Sequence, residues 1–304
     1  MGLGRSGSTL LSQILAQNDR FEAVGELRAL WTKNFSPDQL CSCGEQFQHC
    51  AFWSDVLKRC ADYGITPTDY DRIDTVRHSV ERFRHLSMLL GTHSTREFRE
   101  TAGLYRQFAS RMYRSILEVS GADVVVDSSK RFPTALLLRQ CPDLDIRFIH
   151  LVRDSRGVAY SWRKKVLRHD AGSGRASMRS RPCIRTARQW LFANWLVERT
   201  IVRSGKCLRV LYRDLIEAPE QTMKEIFEFG WNQSLPGGLI QKRSVSLERP
   251  AHICLGNPKR MRAGKVELRM DEEWKRELPL LQKLIVTGIT APLLMKYGFS
   301  LSGR

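Results

Sequence analysis

Residues 2–9 read GLGRSGST, directly after Met1. Gly2, four residues, Gly7 and then Ser8 and Thr9 is the spacing of a phosphate-binding loop. Leu10, Leu11, Ile14 and Leu15 follow at helical spacing, so the loop opens onto a helix whose free amides and positive dipole end point at an anion. The lysine that a nucleoside-triphosphate loop sends to the outer phosphates is absent. Ser8 stands in its place and Arg5 sits inside the loop, which argues against phosphoryl transfer from ATP and leaves an arginine for a bidentate grip on phosphate oxygens. Such a loop hangs from the end of a parallel strand. Too few residues precede it to form one, so the first strand is expected to be truncated, through a misplaced start.

Further along, DVVVD (123–127), IRFIHLVRD (146–154) and KCLRVLYRD (206–214) are short runs rich in Val, Ile and Leu, each followed by a helical pattern. Strand, helix, strand, helix is the rhythm of an α/β domain, here a P-loop-like central parallel sheet flanked by helices. Residues of about 66–120 carry apolar positions three and four apart, broken near Gly91, and read as a helical cap or insertion. A cysteine-rich insertion covers about 38–60. The stretch 168–182, rich in Gly, Ser and Arg, reads as a mobile loop. No repeat or linker divides the chain, so one domain over 1–304 is expected.

The excess of 49 Lys and Arg over 32 Asp and Glu gives a net charge of +17, a field that draws anionic ligands, acidic polymers or membrane surfaces. Aromatic residues are not interleaved with the cations as a base-stacking surface requires, so nucleic acid is not an expected partner. The longest late apolar stretch, 284–295, is too short to span a bilayer, and no signal segment precedes the glycines. Of the eight cysteines, Cys41, Cys43, Cys50 and Cys60 are crowded together. Their spacing C-x-C-x6-C-x9-C lacks paired CxxC knuckles, so buried thiols or one local disulfide are expected rather than structural zinc.

Arg153 ends the second strand pattern, where a parallel sheet faces its ligand crevice, and Ser161 lies two helical turns on. GLGRSGSTLL, IHLVRDSRGVAYSW (149–162, after Phe148) and HICLGNPKRMR (252–262) together resemble the sulfotransferase superfamily, enzymes that use 3'-phosphoadenosine 5'-phosphosulfate (PAPS). The resemblance covers most of the chain outside the two insertions and is nearest to bacterial-type members with motif order like the tyrosylprotein sulfotransferases. It implies that Arg5, Ser6, Gly7, Ser8 and Thr9 bind the 5'-phosphosulfate, with Arg5 also catalytic, and that Arg153 and Ser161 bind the 3'-phosphate. It further implies Glu26 as general base, Lys130 as the cation on the leaving phosphate, and Tyr212 near the adenine. Asn257 with Arg260 or Arg262 would belong to a basic loop over the nucleotide, and no metal is required.

These assignments suit sulfuryl transfer, an in-line displacement in which charge builds on the departing phosphate and an acceptor must lose a proton. For Glu26 the competing reading is a surface pair with Arg28; for Lys130, a pair with Asp127. His150 reads as a core histidine. The acceptor is expected to be the hydroxyl, or less readily the amine, of a glycan, lipid, small molecule or peptide, with the charge favouring an acidic saccharide or lipid. Two other functions stay open: an ATP-dependent small-molecule kinase, and an anion- or glycan-binding protein without turnover. A cytoplasmic location is expected, with peripheral membrane association open.

Overall fold

Glycine is required at two points where the first loop presses on the rest of the chain. Gly2 has φ +123°, and a Cβ there would lie 2.6 Å from the Leu151 carbonyl oxygen; Gly7 has φ +99°, and a Cβ would lie 2.5 Å from the Tyr212 ring. Arg5 between them is also left-handed, at φ 74°, an uncommon conformation for a residue with a side chain. The computed structural model describes residues 1–31, 36–164, 180–231 and 234–302. Most of the loop expected at 168–182 lies outside them.

The elements in order are α1 (Ser8–Leu15), β1 (Phe21–Gly25), α2 (Ala51–Asp62), α3 (Tyr70–Val80), α4 (Leu86–Leu89), α5 (Arg96–Ser120), β2 (Val124–Asp127), α6 (Phe132–Leu138), β3 (Phe148–Val152), α7 (Ser155–Arg163), α8 (Cys183–Thr200), β4 (Cys207–Leu211), α9 (Tyr212–Glu217), α10 (Pro219–Trp231), β5 (Ile240–Gln241), β6 (Ser244–Leu247), β7 (Gly264–Glu267), α11 (Glu273–Glu277) and α12 (Leu280–Lys296). The fold is mixed α/β. In place of one continuous sheet there are two parallel pairs, β1 with β2 and β3 with β4, and a small antiparallel sheet β5-β6-β7. Both pairs share one core, in which Leu11 and Ile14 of α1 meet Phe21, Val124, Leu151 and Val210. Before the loop, Met1 forms a parallel bridge to β3: its nitrogen donates to the Ile149 carbonyl, and its carbonyl accepts from the Leu151 amide at 3.0 Å.

The region 66–120 folds into α3, α4 and α5 with a turn at Gly91. Thr95 caps α5 by accepting from the Phe98 amide, and Tyr105, Phe108, Met112 and Ile116, three or four residues apart, bury its inner stripe. A second core unites Phe108, Met112 and Ile116 of that stripe with Val24, Leu27, Trp53 and the cysteines Cys41, Cys50 and Cys60. Buried Arg77 of α3 donates to Asp74 and Glu81, and Glu81 in turn accepts two bonds from Arg28, at 2.5 and 2.7 Å. This network anchors the turn immediately after Glu26 to the helical region.

Candidate active site

Four parallel strands end on one cleft of about 1050 Å³. Glu26 follows β1, Lys130 lies three residues past β2, Arg153 follows β3, and Tyr212 follows β4; all four line it, as do Gly7, Ser8, Thr9, Arg5 and Ser161. Ligands in open parallel sheets bind at these carboxyl ends because the loops there are free to diverge and the following helices present their amides. Asn257 and Arg262 line it as well, and the side chain of Gln13 in α1 donates to the Arg260 and Arg262 carbonyls at 3.1 and 3.2 Å, tying that segment to the helix that follows the loop.

Two sequence candidates face elsewhere. Ser6 is buried, and its hydroxyl donates to the Leu3 carbonyl at 2.6 Å, bracing the loop from within. Arg260 is only 1% exposed; its guanidinium donates to the Ile253 and Leu40 carbonyls at 3.1 and 2.9 Å. The Ser6 hydroxyl and the Arg260 guanidinium are thus engaged inside the fold, and neither residue lines the cleft. The cause for Arg260 is the 3-10 turn Pro258–Met261, capped by Asn257, which sends Arg260 inward and leaves Arg262 at the cleft.

Glu26 and Lys130, separated by 104 residues, meet at 2.6 Å, and the Lys130 ammonium also donates to the Ser128 carbonyl at 2.9 Å. Neither competing pair forms. Arg28 goes to Glu81, while Asp127 accepts from the Tyr113 hydroxyl at 2.7 Å and the Ser129 amide at 2.6 Å. Arg153 is 8% exposed; it donates to the Arg5 and Asp271 carbonyls, pairs with the Asp271 carboxylate at 3.0 Å and lies over the Tyr212 ring. Burial pushes the Asp271 carboxyl up, but the charges of Arg153, Lys164 and Lys259 more than offset this and hold it below the usual range.

Nine Lys and Arg line the cleft against five Asp and Glu among the described residues. That crowding is felt by the cations: burial and then neighbouring Arg262 push Lys259 down, and burial followed by Arg181 does the same to Arg5. Trp162 braces the loop, donating to the Gly4 carbonyl at 3.0 Å with the Arg5 guanidinium 5.3 Å above its ring. Lys259, Asp271, Lys164 and Trp162 were not singled out from sequence. Lys259, the lysine of NPKR, Lys164, within the basic run 163–165, and Trp162, beside Ser161, carried a signal that could have found them; Asp271 carried none.

His150 is a core residue, as expected. It is fully buried with Nε2 2.8 Å from Asn194 Oδ1, and burial lowers its pKa despite Glu198 nearby. All eight cysteines carry free thiols.

A profile described as the sulfotransferase family matches residues 1–230. No curated protein matches. Among solved structures, the chain is similar to a sulfotransferase domain from the curacin biosynthetic pathway, at 16% identity and a TM-score of 0.56, with 98% of this chain and 96% of that one covered. It is also similar to a sulfotransferase domain from the Synechococcus PCC 7002 olefin synthase, at 17% identity and a TM-score of 0.48, covering 96% and 92% of the two chains.

Proposed function

The chain belongs to the sulfotransferase family, and from that premise we propose that it transfers the sulfuryl group of PAPS to an acceptor hydroxyl. The observation that carries the reading is the meeting of Glu26 and Lys130 on the wall of the same cleft as the glycine loop and Arg153. The residues fit the donor: Arg153 already holds an internal carboxylate, Gly7, Ser8 and Thr9 at the start of α1 line the cleft beside it, and the cleft has room for a nucleotide and part of an acceptor. PAPS supplies a sulfuryl group on a phosphate leaving group. On this reading the amides at the start of α1, with Arg5, Ser8 and Thr9, hold the 5'-phosphosulfate; Arg153 and Ser161 hold the 3'-phosphate; Tyr212 lies toward the adenine.

Glu26 then takes the proton of the attacking hydroxyl on a carboxylate oxygen, and Lys130 turns from Glu26 to neutralise the charge that develops on the departing phosphate. Their pairing in the resting site keeps each oriented until substrate separates them. The two parallel pairs would be halves of one P-loop-like sheet, a reading supported by their shared core and by the Met1 hydrogen bonds to β3. Among the described residues no helix is long and apolar enough to cross a membrane.

Incubation with labelled PAPS and a panel of acidic saccharides, lipids, small alcohols and peptides tests the proposal; label should reach an acceptor without added magnesium. Binding of adenosine 3',5'-bisphosphate (PAP) with no transfer to any class would instead favour a binding protein. The two arginines of the basic segment should separate cleanly. Arg262→Ala is expected to weaken PAP about tenfold with unchanged stability, the cost of one charge-assisted hydrogen bond. Arg260→Ala should instead lower unfolding free energy by about 1.5–3 kcal/mol, because it leaves buried carbonyls without their charged donor; urea titration and calorimetry on both variants check this.

A further inference from the structure

Outside the cleft, the fold assembles a second cluster with its own chemistry. Cys41, Cys43 and Cys50 come from the cysteine-rich loop, and His252 joins them from 202 residues beyond Cys50. Their ligand atoms all lie within 4.8 Å of one another. The measured separations are 3.7 Å for Cys43 Sγ to Cys50 Sγ, 3.8 Å for Cys41 Sγ to His252 Nδ1, and 3.5 Å for Cys50 Sγ to His252 Nδ1. A tetrahedron with zinc–sulfur and zinc–nitrogen bonds of about 2.3 and 2.05 Å has edges of roughly 3.8 Å between sulfurs and 3.6 Å between sulfur and nitrogen. The observed edges match these values, whereas a disulfide would bring two sulfurs to about 2.05 Å.

We propose that Cys41, Cys43, Cys50 and His252 bind one zinc ion in a closed, structural site. The cysteine spacing alone led away from this reading, because the fourth ligand is supplied by the fold and not by a second knuckle. The ring of His252 is fixed from the other side by Phe52, stacked at 4.3 Å and 12°. Cys60 is not a ligand; its sulfur faces Met112 at 3.8 Å. On binding, zinc takes the place of the three thiol protons, which pass to solvent, and the imidazole ligates as the neutral ring through Nδ1.

The position gives the metal a task. Gln39 donates to the Cys254 carbonyl at 2.6 Å, and the Ser42 and Ile253 backbones bond to one another through the Ser42 amide and hydroxyl. Zinc would therefore staple the cysteine loop to the root of the segment that carries Asn257 and Arg262 to the cleft.

Protein expressed with zinc and purified without chelator should hold one zinc per chain by plasma mass spectrometry, and alkylation footprinting of the native protein should find Cys41, Cys43 and Cys50 protected until a strong chelator removes the metal. Cobalt substituted at the site should show the visible bands of tetrahedral thiolate coordination. Loss of one ligand in Cys43→Ser should cost at least the roughly 10–100-fold in zinc affinity that losing an outer-shell partner costs. Protein free of zinc under these conditions, with the three thiols reactive or with a Cys43–Cys50 disulfide by mass, overturns the proposal even if Cys43→Ser fails to fold. Zinc content does not depend on PAPS, so this result and the sulfuryl-transfer result stand or fall separately.

Discussion

Glu26→Gln is expected to lower turnover with PAPS about 10²- to 10⁴-fold, the range for removing a general base, and to leave PAP affinity within a few-fold. Glutamine keeps the length and an oxygen that can accept from Lys130, so the 2.6 Å contact has a neutral replacement and the turn at Leu27–Ala29 remains anchored through Arg28 and Glu81. What it loses is the ability to accept the acceptor's proton. Steady-state transfer assays beside calorimetry with PAP make the distinction: a variant with full turnover removes Glu26 from the chemistry, and a parallel collapse of PAP binding makes it a positioning residue.

Arg153→Ala should weaken PAP by about 10²- to 10³-fold, because truncating one partner of a buried charge pair costs about 2–5 kcal/mol. AMP, which lacks the 3'-phosphate, should lose far less. The same change strands Asp271, whose carboxyl burial raises and Arg153 lowers. In the native protein the net depression means that this pair contributes stability above the ordinary carboxylate range, and the contribution fades as pH falls through the folded-state value. The stability gap between native and variant is therefore expected to be widest near neutrality and to narrow in acid, readable from urea midpoints across pH. Equal losses for PAP and AMP would move Arg153 away from the 3'-phosphate.

How far the residues announced this architecture depends on whether local chemistry or distant contacts decide each element. The glycine loop and α1 are legible because Gly2 and Gly7 are demanded by contacts a Cβ would violate, and β3 and β4 because buried parallel strands read as apolar runs. FEAVG, which becomes β1, carries no clear strand signal: it is five residues long and includes Glu22, buried and paired with Arg249 at 3.3 Å across 227 residues. The strands β5 to β7 are two to four residues long and offer no sustained alternation. The continuous sheet expected from the strand rhythm is seen as two pairs, with Met1 hydrogen-bonded to β3 before the loop. Arg153, Ser161 and Tyr212 reach the cleft from positions that strand ends predict, whereas Arg262 and not Arg260 does so because a single 3-10 turn intervenes. The Cys/His cluster was invisible to spacing for the same reason that Asp271 was: its last member arrives through the fold.

Calorimetric titration with PAP in magnesium-free buffer, set against ATP with magnesium, tests the central claim most directly. A cleft that uses Arg5, Arg153 and backbone amides in place of a lysine and a metal should bind PAP one-to-one without magnesium, and ATP with magnesium should neither bind comparably nor displace it. Tight binding of ATP with magnesium and no response to PAP would contradict the account.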